Sequence, residues 1–303
     1  MKSSIKHIIL LLVATSLFVA CHNNSKTAND MTDSEKLEML DIKIEKNPKD
    51  AKLLAERAKV LVNLSRAKEA VYDINRAVSL DPDNIDYRII QADAYFANGD
   101  IENSYKSLGE AEKIDPENDE VLLKMGEITF YARDYDRSFD YLSKVTAKKP
   151  NDRTALFMKG FIYKEKGDTA SAVTLLRKVC DLYPDYEPSF EELGMLYASR
   201  QNPLAVDYLT TAMQIEPNNT NAIYGLAMYY QDIEEYDKAE ELYRQMLSIN
   251  DKSADAWHNL GYLEMTHYGD FKQAVEYFDK ALEADPTHEA AAHNRQLALE
   301  NVK

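Results

Sequence analysis

The sequence predicts an all-α fold, an α-solenoid of about seven helix-turn-helix units. The first observation is a proline that returns about every 34 residues. The prolines of this series are Pro48, Pro82, Pro116, Pro150, Pro184, Pro217 and Pro286, with Asp251 where one more is expected. The second observation is a composition rich in Ala, Leu, Glu, Lys and Tyr, with only nine Gly and nine Pro. A period of about 20 to 50 residues is typical of stacked units that present a long surface.

The N-terminal residues 1–20 have the pattern of a secretory signal peptide. Two lysines precede an apolar run of 13 residues, which is shorter than the ~20 residues that a bilayer span needs. The run ends in Phe18-Val19-Ala20-Cys21, which resembles the lipobox of bacterial lipoproteins, although that family usually has Leu in place of Phe18. The resemblance implies that Cys21 carries acyl chains such as palmitate. An ordinary signal peptide with a chance cysteine is the alternative.

Residues 21–32 are polar and lack helical periodicity, so they are predicted to be a flexible tether. His22 follows the cysteine at the place where an Asp retains some lipoproteins in the inner membrane. The predicted location is therefore the bacterial cell envelope, with the chain anchored by lipid to the outer membrane and facing the periplasm.

A leading helix is predicted over residues 33–48. Thr32 and Glu35 form a capping-box pattern, in which each side chain satisfies the other residue's backbone N–H. Leu37, Leu40 and Ile44 follow at helical spacing.

Seven repeats are predicted over residues 49–286, and the last of them, 254–286, is the clearest. An apolar stripe starts at Trp257, Gly269 breaks the helix, a second stripe starts at Phe271, and Pro286 closes the unit. This unit resembles the tetratricopeptide repeat, whose pattern is W-x2-L-G-x2-Y followed by A-x3-F-x2-A and a closing Pro. The resemblance implies a right-handed solenoid of helix pairs whose function is protein binding.

Three positions of that pattern can be followed through all seven repeats. The small residue of the first helix is Ala58, Ala92, Gly126, Gly160, Gly194, Ala227 and Gly261. The small residue that opens the second helix is Ala70, Ser104, Ser138, Ala172, Ala205, Ala239 and Ala274. The large residue four positions later is Ile74, Leu108, Leu142, Leu176, Leu209, Tyr243 and Phe278. The small residues are expected to let two helices approach, and the large residue to fill the space beyond.

The fifth repeat is one residue short and the seventh has one extra, so the helix pair of the fifth is expected to splay differently. Residues 287–303 are predicted to be a capping helix that covers the last repeat. Its buried face is expected at Ala290, Leu297 and Val302.

The resemblance further implies a concave groove lined by the first helices. The predicted partner-binding residues are Phe96, Phe130, Phe157, Phe161, Met195, Tyr224, Met228, His258, Tyr262 and Met265. Met and aromatic side chains suit a peptide or an amphipathic helix of a partner protein. Ile89 and Leu123 occupy equivalent positions, where groove lining and packing between helices are equally expected.

The net charge is −16, and it is −18 from Cys21 onwards because residues 1–20 carry two lysines and no acid. Nucleic acid is therefore not an expected partner, since phosphate binding needs clustered Lys and Arg. The acid is concentrated in residues 185–217, 218–251 and 252–303, with net charges of −5, −5 and −4. Solubility explains such a charge, and attraction of a basic partner is the alternative.

Catalytic and metal-binding patterns are not found. His288 and His293 lie five residues apart, not the four that would place both on one helix face. The sequence therefore predicts no enzyme, metal, cofactor or small-molecule substrate, and Cys180 is expected to be a buried, inert thiol. The predicted function is a protein-interaction scaffold or adaptor. A pilotin-like assembly factor for a pilus or secretion pore, and an accessory subunit of a peptidoglycan hydrolase or protease, are the alternatives.

Overall fold

The structure is a computed structural model that describes residues 31–302. These residues form sixteen α-helices and one π-helical turn, with no strand among them, which confirms the all-α fold class. The predicted signal peptide 1–20, the lipidation site Cys21 and most of the tether 21–32 lie outside the described residues.

The helices alternate with short turns from the first described helix to the last. They are α1 Asp33–Lys46, α2 Ala51–Asn63, α3 Ala67–Leu80, α4 Ile85–Ala97, α5 Ile101–Ile114, α6 Asp119–Tyr131, α7 Tyr135–Lys148, α8 Arg153–Glu165, α9 Thr169–Leu182, α10 Glu187–Ala198, α11 Leu204–Ile215, α12 Thr220–Asp232, α13 Tyr236–Ile249, α14 Ala254–Leu263, α15 Phe271–Ala284 and α16 Glu289–Asn301. The π-helical turn Glu264–Tyr268 follows α14 directly. Repeats one to seven are the pairs α2–α3, α4–α5, α6–α7, α8–α9, α10–α11, α12–α13 and α14–α15.

The chain divides between Val121 and Leu122 into two compact units. The first unit has a core in which Leu54 and Ile74 are fully buried between α2 and α3. The largest core of the second unit runs from α9 to α15 and includes Leu176, Leu209 and Tyr243. Within each unit the core is a layer between the first and second helices of the repeats, as expected when each repeat packs mainly on its neighbours.

Each helix pair is closed by contact of a small residue with a large one. A Cβ atom added to Gly194 would lie 2.6 Å from Cγ of Leu209, and one added to Gly126 would lie 2.7 Å from Cδ2 of Leu142. At Gly261 the nearest atom is Cε1 of Phe278, 2.8 Å away. The small and large residues named from the sequence therefore meet where they were predicted to meet.

The turn inside every repeat contains one residue with positive φ. These residues are Ser65, Gly99, Arg133, Gly167, Gln201, Glu234 and Gly269. The left-handed conformation ends a helix because it lets the next N–H reach back to an earlier carbonyl. The N–H of Asp100, for example, donates to the carbonyl of Tyr95, five residues before it. Four of the seven positions lack glycine and carry the steric cost of this conformation.

The extra residue of repeat seven is absorbed by the π-helical turn. There the N–H of Asp270 donates to the carbonyl of Glu264, six residues before it rather than five. An inserted residue is commonly accommodated in this way, by widening one turn of the helix.

Repeat five is one residue shorter than the others, and the shortening lies after its turn, at the start of α11. The N–H groups of Ala205 and Val206 donate to the carbonyls of Asn202 and Pro203, each three residues earlier. The first turn of α11 is therefore wound tightly, and the contact between Gly194 and Leu209 is kept.

The leading helix begins as predicted, because the capping box between Thr32 and Glu35 is formed in both directions. The prediction for the buried face of the last helix was wrong. Ala291 and Ala298 of α16 are buried, whereas Ala290, Leu297 and Val302 are exposed. Ala291 and Ala298 pack against Ala274, Phe278 and Ala281 of α15, and this contact sets the buried face.

None of the helices within residues 31–302 is both long and apolar enough to cross a bilayer.

Candidate functional site

The candidate site is the surface formed by the first helices of successive repeats, called here the first-helix surface. It is described separately for the two units, because they are two compact bodies. First helices pack side by side in each unit, α2 against α4 in the first and α10 against α12 in the second. Side chains on their outward faces therefore form one wall in each unit.

In the first unit this wall contains a pocket of about 280 Å³. Lys59 of α2 and Asp86 and Asp93 of α4 line it with opposite charges, and Ile89 contributes to its wall. The Ile89 side chain is buried, so it both packs between helices and faces the pocket. Phe96, the single predicted binding residue in this unit, is 40% exposed.

In the second unit the structure brings Phe130, Phe157 and Phe161 together. The ring centroids of Phe130 and Phe161 are 5.3 Å apart in an edge-to-face arrangement, and those of Phe157 and Phe161 are 6.5 Å apart. The ammonium group of Lys164 lies 4.2 Å from the centre of the Phe161 ring. These rings are half-buried, and edge-to-face pairing of this kind stabilises a fixed arrangement.

Met195, Tyr224 and Met228 form the next part of the wall, on α10 and α12. The three side chains are half-buried and pack against the core of the second unit. Tyr224 and Met228 are four residues apart and share one helix face. The hydroxyl of the buried Tyr243 donates to Oε1 of Gln231 at 3.0 Å, and its oxygen also lies 3.2 Å from the sulfur of Met228.

His258, Tyr262 and Met265 continue the wall along α14 and the π-helical turn. Tyr262 is 38% exposed. His258 differs, because its ring lies 4.9 Å from the ring of His288 and its Nε2 atom is 3.1 Å from Nδ2 of Asn294. His258 therefore contacts the capping helix α16, and burial together with the nearby His288 lowers its pKa from the ordinary 6.5.

A feature that sequence reasoning missed is an acidic pair held by one amide. Nδ2 of Asn219 donates to Oε1 of Glu187 and to Oε2 of Glu191, each at 2.6 Å. Glu187 is only 8% exposed. Burial and the charge of Glu191 raise the pKa of Glu187. Glu187 and Asn219 are 32 positions apart and belong to different repeats, so a pattern search within one repeat does not reveal this contact.

Cys180 is buried on α9, and its thiol donates to Oγ of Ser189 at 3.3 Å. Burial raises the pKa of this thiol to about 11, so that the reactive thiolate is scarce at neutral pH. The prediction that this thiol is buried is confirmed.

Stacked helix pairs that expose one face of their first helices define the class of helical-repeat proteins. The sequence matches the tetratricopeptide repeat family over residues 85–118, 154–186, 196–261 and 254–288, which together are more than half of the chain. The protein therefore belongs to the tetratricopeptide-repeat family.

Known relatives are similar over part of their length. The chain is 28% identical over 133 residues to Regulatory protein RapD of Bacillus subtilis, which covers 40% of this chain and 36% of RapD. The chain spans between 24% and 36% of the length of the curated relatives it matches.

Two solved structures show the same fold at low sequence identity. The APC/C hetero-tetramer Cut9-Hcn1 has a TM-score of 0.64 and 14% identity, covering 87% of this chain and 52% of that chain. YrrB, a TPR protein with an unusual peptide-binding site, has a TM-score of 0.52 and 21% identity, covering 63% of this chain and 99% of its own.

Proposed function

We propose that this chain is a non-catalytic adaptor that binds a partner protein through the first-helix surface of its second unit. The observation that carries the proposal is the wall of half-buried Met and aromatic side chains from Phe130 to Met265. Aromatic side chains offer a large contact area with little loss of conformational entropy, and methionine adapts its shape to the surface of a partner. The structures similar to this one support the proposal, since one of them has a peptide-binding site.

The proposal is tested by capture of partners from native membranes, with the full chain as bait. The variant Phe130→Ala/Phe161→Ala/Tyr224→Ala removes three rings from the wall. A matched control, Tyr72→Ala/Leu204→Ala/Ile249→Ala, removes three exposed apolar side chains from second helices. We expect the control to retain a partner that the first variant loses, with both variants showing the helical circular dichroism of the wild type. Equal retention by both variants would place the binding surface elsewhere.

We further propose that the adaptor is anchored by lipid at Cys21 and faces the periplasm from the outer membrane of a bacterial envelope. The sequence Phe18-Val19-Ala20-Cys21 supports this proposal. Mass spectrometry of the N-terminal peptide tests it: we expect a mature chain that starts at Cys21 and carries acyl chains. An unmodified Cys21, or a start at another residue, would contradict the anchor without affecting the adaptor proposal.

The identity of the captured partner separates the narrower roles. A subunit of a pilus or secretion pore would indicate a pilotin-like assembly factor, and a peptidoglycan hydrolase or protease would indicate an accessory subunit.

A further inference from the structure

The first helices of repeats five to seven have a one-sided charge. Helices α10, α12 and α14 with its π-helical turn contain no Lys and no Arg. Their acidic residues are Glu187, Glu191, Glu192, Asp232, Asp255 and Glu264. Apart from the histidines, every ionisable side chain that carries a charge on this part of the first-helix surface at neutral pH is therefore a carboxylate.

In the described part of the chain, three of these six carboxylates have a basic neighbour: Glu192, Asp255 and Glu264, which lies near Arg244. Glu192 pairs with Lys164, with a nitrogen-to-oxygen distance of 2.5 Å. Asp255 lies 3.4 Å from Nε2 of His288. Asp232 and Asp255 are exposed, so both are accessible to a partner molecule.

The pair Glu187 and Glu191 places two carboxylates against a single amide donor. Its shared hydrogen-bond donor, Asn219, is neutral and satisfies the geometry of the two carboxylates without compensating their charge. Two carboxylates close together in a partly buried place repel each other, and an added cation would relieve that repulsion. A guanidinium or ammonium group from a partner meets this requirement.

Apolar side chains lie among these acids on the same helices. Met195, Met228 and Met265 are half-buried, and Tyr262 is partly exposed. Methionine adapts its shape to different apolar partners. The aliphatic stems of Lys and Arg also pack well on such a surface while their charged ends reach the carboxylates.

We propose that repeats five to seven bind a basic amphipathic segment of a partner protein. Its Lys and Arg side chains contact Glu191, Asp232 and Asp255, with the buried Glu187 adding to the negative charge beside Glu191. Its apolar side chains lie on the methionines and tyrosines between them. This inference rests on the proposed adaptor function. It adds that the bound segment of the partner is positively charged and amphipathic.

The test uses two synthetic helical peptides of 18 residues, a length that allows about five turns. Both carry Leu on one face, and the opposite face is Lys in one and Glu in the other. Fluorescence anisotropy with the full chain in mild detergent gives the Kd of each peptide. We expect the Lys peptide to bind, with affinity that falls as salt rises, and the Glu peptide to bind at least about tenfold more weakly. Equal binding of the two peptides, or preference for the Glu peptide, overturns the inference.

Two variants locate the binding and separate it from general attraction to an acidic protein. Asp232→Lys/Asp255→Lys reverses two exposed charges on first helices. Glu241→Lys/Glu283→Lys makes the same change of net charge at exposed sites on second helices. We expect the first variant to weaken binding of the Lys peptide at least about tenfold and the second to change it less than about threefold. Equal effects of both variants would show that the peptide does not bind at the first helices of repeats five to seven, and would overturn the proposed site.

Failure of this inference is distinguishable from failure of the adaptor function. Suppose that the Lys peptide does not bind while capture of a native partner still depends on Phe130, Phe161 and Tyr224. The adaptor function is then supported, and the inference of a basic partner segment is rejected.

Discussion

The sulfur atom of Met195 occupies the space that a side chain on Gly225 would need. Met195 belongs to α10 and Gly225 to α12, so repeat five fills a gap left by repeat six. This contact fixes a methionine in the middle of the proposed binding wall. It also explains a glycine in the interior of a helix, where glycine normally costs stability.

The variant Gly225→Ala is expected to move Met195 without unfolding the protein. Alanine gains about 0.5–1 kcal/mol of helix stability over glycine, and this offsets the shift of a flexible methionine. The free energy of unfolding in urea should therefore change by less than about 1 kcal/mol. Binding of the Lys peptide should weaken, because the displaced side chain alters the wall. A variant that binds the peptide as the wild type does would contradict a role for this contact.

The variant Gly194→Ala is expected to destabilise the protein by about 1–3 kcal/mol. The added Cβ would lie 2.6 Å from Cγ and 3.1 Å from the backbone nitrogen of Leu209, and a backbone atom cannot move aside as a side chain can. Urea denaturation measures the change. Gly109→Ala is the control, since no atom lies within 4 Å of its added Cβ, and it should stabilise the chain by about 0.5–1 kcal/mol. A stabilising Gly194→Ala would show that the helices of repeat five are not in close contact.

The variant Glu234→Gly is expected to stabilise the protein by up to about 1 kcal/mol. Glu234 has a φ of 65°, a conformation that costs an L-residue about 1–2 kcal/mol. Part of this gain is lost to the greater entropy of glycine in the unfolded chain. Thermal unfolding followed by circular dichroism tests the prediction. In the control Glu241→Gly, within helix α13, glycine should instead cost about 1 kcal/mol.

Acidification is expected to loosen the last helix through His258. Its pKa in the folded protein is lowered by burial and by His288. The neutral ring is therefore favoured in the fold, and the stability that it contributes is present above pH 6.5 and is lost as the pH falls through the lower folded value. Asp255 and Asn294 also face this ring system.

Hydrogen exchange of residues Glu289–Asn301 at pH 7.5 and at a pH below the folded value measures the effect. We expect lower protection in acid, meaning exchange closer to the intrinsic rate at that pH, for the wild type and for the control His293→Gln, whose site is exposed. His258→Gln should exchange at the same relative rate in both buffers. If the hydrogen-exchange protection of this helix in the wild type does not change with pH, the prediction is wrong.

Most of the helix pairing could be predicted from the sequence, because the determining contacts lie within one repeat. Gly194 and Leu209 are 15 residues apart and recur as a pair in the other repeats. The face of the capping helix could not be predicted, since Ala290, Ala291 and Ala292 offer similar side chains on three sides. The ion pair between Arg295 and Asp279 accompanies the observed face. The ten residues proposed to bind a partner, and the boundaries of the signal peptide and tether, stay predictions.

The sequence by itself determined the repeat, its length, the helix pairs and the residues that close each pair, because these features depend on spacing along one short segment. Only the tertiary structure decided which side chains of neighbouring repeats pack together and which carboxylates lie close to one another. It placed Met195 over Gly225 and joined Glu187 and Glu191 through Asn219. Such contacts join side chains of different repeats, and no periodic pattern within one repeat specifies them. The physical reason is that each repeat packs against its neighbour's particular side chains, not against an average unit.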